Sequence, residues 1–189
     1  MNPEDKEVGQ FYCNFKVHKK YDQIPPVRPI NSGSGSMTEN ISLFVNHHIK
    51  DLSNKHSSYI QDTPDFLREI EKINSGQELP ENAVLAALDV DGLFTYIPHE
   101  DGISTMREAL EERTKPKVPS DFIVQLMQLI LQYNLFTFHD ATYKQLIGEA
   151  MGTHPAPPYA DIFMDRKIID LALIDLSLML LILKRFLDD

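Results

Sequence analysis

The sequence predicts an α+β fold. Three observations carry that expectation. Apolar residues recur at helical spacing in several stretches, strand-like runs stand apart from them, and the two kinds of segment do not alternate as strict strand–helix–strand units. The chain has 189 residues, 42% of them hydrophobic. That is enough apolar mass to bury a core without covalent staples, in one domain or two small lobes. Cys13 is the single cysteine, so an intrachain disulfide is excluded and a reducing, intracellular setting is expected.

The elements follow in order. Residues 1–10, MNPEDKEVGQ, are polar and acidic, carry no signal peptide, and read as a disordered start. Residues 11–20, FYCNFKVHKK, place aromatic and β-branched residues at alternating positions, as a strand does. Residues 21–30, YDQIPPVRPI, are proline-rich and therefore extended or turning. NSGSGS (31–36) is a flexible loop without the Gly-Lys-Ser/Thr ending of a phosphate-binding P-loop. A helix is expected from Thr38 as cap, with Ile41, Phe44, Val45, His48, Ile49 and Leu52 on one stripe. A second starts at Thr63 as cap, takes Pro64 in its first turn, repeats Phe66, Leu67, Ile70 and Ile73, and stops at Gly76.

The period then changes. AVLAALDV (83–90) is a continuous apolar run and reads as a buried strand presenting Asp89 at its end. Residues 98–113 read as a charged helix, and 120–134 as a strongly amphipathic one capped by Ser120. LFTFHDATYKQLIG (135–148) reads as two short strands around a His139–Asp140 turn. Residues 153–166 open with prolines and turn into a helix. IIDLALIDLSLMLLIL (168–183) is too short for a membrane span and carries Asp170 and Asp175. A buried helix, or a helix leading into a strand, is expected there. No internal repeat is present.

Charge narrows the function classes. Lys and Arg number 18 against 28 Asp and Glu, a formal net charge of -10. That balance disfavours a protein that coats nucleic acid. Yet KVHKK (16–20) followed by Arg28 is a local basic cluster, either a solvated face or a patch that holds phosphates.

The acidic positions carry the chemistry. Asp89 either caps the turn after its strand or serves as a metal ligand on a rigid element. DVDGLFTYIPHE (89–100) is not a calcium loop, because Phe94 stands where such a loop needs glycine. The seven histidines show no zinc-ligand spacing and read as structural or surface groups. No Gly-x-Ser-x-Gly or Cys/His nucleophile arrangement occurs. The last residues, LKRFLDD, bring an apolar run to the adjacent acids Asp188 and Asp189. Such a pair is either a solvated tail or, beside Asp89 on a neighbouring strand, a cluster that repels itself unless cations sit within it.

Four motifs in order then point to one family. FKVHKK with PPVRPINSGS resembles the fingers motifs of reverse transcriptases. LDVDGLFTYIPHEDGI resembles the first catalytic palm motif, GEAMGTHPAPPYADIFM the glycine-containing palm motif, and KRFLDD the aspartate-pair motif. The nearest likeness is to the reverse transcriptases of Penelope-like retroelements, over about residues 11 to 189. The resemblance implies an α+β right-hand polymerase: fingers over 11–82, a partial palm over 83–189 with a helical segment near 99–134, and no thumb. It implies that the chain is a piece of a retrotransposon's RNA-directed DNA polymerase, ending at the aspartate pair.

The resemblance also implies roles. Asp89, Asp188 and Asp189 would be the catalytic acids, with Asp89, the Val90 carbonyl and Asp188 holding two Mg2+ ions, or Mn2+ in their place. Lys16 and Arg28 would hold the triphosphate of a dNTP. Phe94 would be the steric gate against a ribose 2'-hydroxyl. Met151 and Gly152 would lie near the incoming nucleotide and template base. The implied partners are an RNA or DNA template with its primer, and no membrane. Glu149, Asp91 and an extra proline in HPAPPYA depart from the family pattern. They fit the alternative of an inactive remnant or a derived nucleic-acid or protein binding module.

Overall fold

The computed structural model describes residues 8–76, 79–174 and 182–186. Among them the chain is a mixed α+β structure. Its elements are β1 (Gly9–Phe15), β2 (Val27–Asn31), α1 (Glu39–Ile49), α2 (Thr63–Gly76), α3 (Leu93–Tyr96), α4 (His99–Glu111), α5 (Ser120–Gln132), β3 (Leu135–Phe138), β4 (Ala141–Lys144) and α6 (Ala156–Ile174).

The strands form one mixed sheet in the order β2-β1-β3-β4. β1 and β2 pair antiparallel, with Cys13 opposite Pro29 and Asn14 opposite Arg28. β1 pairs parallel with β3, Gly9 opposite Phe136. β3 and β4 form a hairpin around His139, which takes a positive φ of 52° in its turn. Pro29 cannot donate to a ladder and accordingly stands on the edge strand β2. The alternation puts Phe11, Phe136, Phe138 and Tyr143 on one face, where Phe11 meets Phe136 at 5.3 Å between ring centroids and Phe136 stacks on Tyr143 at 5.6 Å.

The core lies among four helices. α4 packs against α5 and α6, and α1 lies against α5. Val45 and Ile49 of α1, Met106 and Leu110 of α4, Ile123 and Met127 of α5, and Tyr159 and Ile162 of α6 are all buried there. These positions recur at three- and four-residue steps, so one stripe per helix reaches the core. No helix of the described residues is long and apolar enough to cross a membrane.

Several local expectations need correction. β1 starts at Gly9, inside the stretch read as disordered, because Gly9 and Gln10 pair with β3. Thr63 does not cap α2. Asp62 does, accepting from the Asp65 amide at 2.8 Å, while the Asp65 carboxylate accepts from the Gln61 amide at 3.1 Å. The apolar stripe of α2 is amphipathic as expected but buries nothing fully; Phe66 and Leu67 remain exposed. Ser120 is the first residue of α5 rather than its cap, and its hydroxyl donates to the Leu110 carbonyl at 3.2 Å.

The largest correction is 83–90. It is neither a strand nor buried. Val84, Leu85 and Leu88 are 88%, 94% and 84% exposed. A strand is stabilised by its ladder, and among the described residues no segment pairs with this one. Its apolar content therefore does not suffice to make it a strand.

Candidate functional site

Two glycine-dependent contacts bring three of the sequence motifs to one place. The first is between α3 and the loop 147–149. The Gly148 amide donates to the Ile97 carbonyl at 3.0 Å, the Glu149 amide to the Phe94 carbonyl at 2.7 Å, and the His99 ring Nε2 meets the Gly148 carbonyl at 2.8 Å. Gly148 has φ +72°, and a Cβ on it would stand 2.4 Å from the Phe94 carbonyl oxygen. Only glycine allows this approach.

The second contact joins the sheet to the helices. Gly152, φ +141°, lies against the end of β2, where a Cβ would come within 2.5 Å of the Asn31 carbonyl oxygen. The Gly33 amide donates to the Gly152 carbonyl at 3.3 Å. Buried Asn31 donates to the Asn134 side chain at 2.7 Å, and Asn134 donates onward to Gln145 at 3.2 Å. The end of β2 and the loop after it thus meet Gly152 on one side and Asn134, just before β3, on the other.

Lys16 and Arg28 share one face of the β1–β2 hairpin. Arg28 lies opposite Asn14, and the Lys16 amide extends the ladder by donating to the Pro26 carbonyl at 2.8 Å. Lys16, two residues past Asn14, is a diagonal neighbour of Arg28, at a typical spacing of about 7–8 Å. Arg28 is three residues from Asn31, about 10 Å along the strand.

The other expected site residues fare differently. Met151 is half-buried beside Gly152. Phe94 and Val90 are half-buried against the core. Asp89 sits on the exposed, unpaired 83–90 segment and makes no ion pair among the described residues. Asp188 and Asp189 lie outside the described residues. Among those described, no group of three His, Cys, Asp or Glu gathers as a metal site.

Glu149 lies at the centre of this region. It is 1% exposed. The Thr153 hydroxyl donates to its Oε1 at 2.9 Å, but its Oε2 has no partner among the described residues. Burial raises its carboxyl to about 8, so the side chain is mostly protonated at neutral pH. The buried Tyr159 hydroxyl also has no partner among the described residues. Its pKa is pushed up by burial, then by the charges of Glu149 and Asp101. Gly102 makes room for that hydroxyl; a Cβ there would lie 2.0 Å from it.

A second polar cluster was not legible beforehand. Arg185, 4% exposed, donates from Nη1 to Asp161 Oδ1 at 2.5 Å and from Nη2 to the Asp161 carbonyl at 3.2 Å. His56 Nε2 lies 3.0 Å from the same Nη2 and 3.2 Å from Asp161 Oδ2. Its Nδ1 faces the Ser58 hydroxyl at 3.0 Å and Asp165 at 3.6 Å. Ser58, His56 and Asp161 have the residue types of a hydrolytic triad. However, Ser58 is buried and does not line the adjacent cavity of about 170 Å³, which His56 and Asp165 border. A nucleophile must be reachable, so the cluster is not read as one. The only prior signal was an acid in the midst of an apolar helical stretch, PYADIFM.

No protein-family model matches the chain, and no curated protein matches it.

Proposed function

We propose that the chain is the fingers and partial palm of a retroelement's RNA-directed DNA polymerase, built for nucleotidyl transfer from a dNTP to a primer 3'-hydroxyl. The observation that supports this most is the Gly152 contact. Motifs far apart in sequence, the fingers-like PINSGS and the palm-like AMGT, meet through a backbone approach that only glycine permits. The palm-like LFTY segment meets the same loop three residues earlier, at Glu149.

In this reading Lys16 and Arg28 hold the triphosphate, the Arg28 fork matching paired phosphate oxygens. Phe94 is the steric gate, its backbone held by the Glu149 amide at 2.7 Å. Met151 and Gly152 line the approach of the nucleotide and template base. Asp89 and Asp188, with the Val90 carbonyl, would hold two Mg2+ or Mn2+ ions. Asp89, an exposed carboxylate with no competing cation among the described residues, is a chemically suitable oxygen donor. Bound there, the ions would lower the pKa of the primer hydroxyl and stabilise charge at phosphorus. Template pairing reads the sequence, so the protein's task is to position.

The unpaired 83–90 segment favours a second reading, a non-catalytic remnant or binding module, because it leaves Asp89 without a rigid strand beneath it. Primer extension on poly-rA with oligo-dT, dTTP and Mg2+ or Mn2+ separates the two. The first reading expects extension that Asp89→Ala abolishes. Extension absent, or unchanged by Asp89→Ala, refutes it.

A further inference from the structure

A cavity of about 290 Å³ lies between α2 and the segment 182–186, lined by Ile60, Asp62, Thr63, Phe66 and Phe186. Its frame is held from both sides. The Arg185 amide donates to the Ser58 carbonyl at 2.7 Å and the Ile60 amide to the Arg185 carbonyl at 2.9 Å, in a parallel bridge. Lys184 reaches Glu69 at 2.7 Å and so ties the segment to α2 about one turn beyond Phe66. Asp62 caps α2, and Phe66 stands four residues later, about one turn on.

The lining has a particular chemistry. Phe66 is 43% exposed and Phe186 46%, so neither ring is used up in the core. The start of α2 carries about half a positive charge from its backbone. Asp65 is paired with Arg68 at 3.2 Å, but Asp62 makes no ion pair among the described residues. The full negative charge of Asp62 outweighs the helix end, and the cavity favours a cation between two phenyl rings.

Hydrogen bonding narrows the class of cation. Asp62 and Thr63 are the polar side chains of the described lining, and Asp62 Oδ1 already accepts from the Asp65 amide at 2.8 Å. A primary ammonium would bring three donors to these few acceptors, at a cost for each left unpaired. A quaternary ammonium brings no donor. The volume lies near the low end of small-molecule sites, about 300–1,000 Å³, and suits a headgroup better than a nucleotide.

We propose that this cavity binds a quaternary ammonium group, with Phe66 and Phe186 as its cation–π walls and Asp62 as its counter-charge. The site does not depend on the polymerase reading.

NMR titration of the full chain tests it. The probes are choline, its neutral isostere 3,3-dimethylbutan-1-ol, and a peptide with trimethyl-lysine beside the same peptide with plain lysine. Choline is expected to shift the Ile60, Thr63, Phe66 and Phe186 amides saturably, and its methyl protons should move upfield, as protons over ring faces do. The isostere and the plain-lysine peptide should bind about tenfold more weakly than their quaternary counterparts. Asp62→Asn should weaken choline about threefold. Asparagine caps a helix about as well as aspartate, so that variant isolates the charge. Phe66→Leu keeps the wall apolar, removes its π face, and should weaken choline about fivefold. Tighter binding of the trimethylated peptide than of choline would assign the group to a modified protein chain, and the reverse to a free small molecule. No saturable shift with either quaternary probe would overturn the inference. So would equal binding of the isostere, equal binding of the plain-lysine peptide, or choline affinity unchanged in both variants.

Discussion

Replacing Glu149 with glutamine should change how stability varies with pH. In the unfolded chain the Glu149 carboxyl ionises at its ordinary 4.5; in the folded chain burial holds it protonated to about 8. Between those values the folded state binds more protons than the unfolded state. Stability therefore falls as pH rises through the window, is unaffected below it, and levels off above it. Each pH unit inside the window costs about 1.4 kcal/mol. Over 2.5 units, from about pH 5 to about pH 7.5, the accumulated loss is about 3 kcal/mol. Glu149→Gln removes it, because an amide does not titrate. The amide places two N–H donors where the protonated acid has one O–H, so it adds an unpartnered donor beside the place where Oε2 has no described partner, a pH-independent cost of about 1–3 kcal/mol. The variant should thus be the less stable protein near pH 5 and at least the equal of the parent near pH 7.5. Urea unfolding of both proteins at the two pH values measures this, with midpoint and slope fitted separately. A stability difference that stays constant across that interval would refute the reasoning, since it would mean that Glu149 reaches solvent or a partner when ionised.

Three further outcomes are expected. Gly102→Ala would put a methyl 2.0 Å from the Tyr159 hydroxyl and should cost about 1–3 kcal/mol or more in thermal unfolding. Adding Tyr159→Phe should recover only part, because the ring carbon Cζ still lies at 2.5 Å; strict additivity of the two changes would refute the contact. Gly152→Ala should push the loop off β2, and the Gly33 amide, bonded to Gly152 at 3.3 Å, should lose its protection from exchange. Glu69 is held down to about 2 by hydrogen bonds from Lys184 and then Lys72. Its clasp on the 182–186 segment is complete above pH 4.5 and is lost as pH falls toward 2. Carboxyl titration by NMR should show that low midpoint, and Lys184→Ala should raise it.

Helices were legible where an apolar period of 3.6 residues ran for several turns. The stripe through Val45 and Ile49 marks α1 by its 3.6-residue repeat, and Thr38 stands at the N-cap position but makes no side-chain cap hydrogen bond there. The hairpin around His139 was legible from alternation and its turn. Capping was less so: Asp62 and Thr63 are both good caps, and only the reciprocal bonds with Asp65 decide between them. Residues 83–90 failed for a different reason. An apolar run states that burial would be favourable, but a strand also needs a partner, which lies elsewhere in sequence. The same non-locality hid the polar cluster around Arg185. Asp161, His56 and Arg185 are ordinary residues until folding removes water from around them. Gly148 and Gly152 were visible as glycines; what they admit, the carbonyls of Phe94 and Asn31, was not.

The parallel pairing of Gly9 with Phe136 sets a schedule for biosynthesis. β1 emerges from the ribosome first and β3 more than a hundred residues later, which at about 5–20 residues per second is a wait of roughly 6–25 s. The β1–β2 hairpin itself closes within about 1–10 μs. For nearly all of that interval it presents a bare β1 edge with Phe11 and Phe15 on the sheet's aromatic face. Pro29 blunts the opposite edge permanently, but the inner edge must stay able to accept β3. The nascent chain is therefore most prone to mispairing before β3 emerges. Slowing translation between β2 and β3 should lower the yield of folded protein more than the same delay placed after β4.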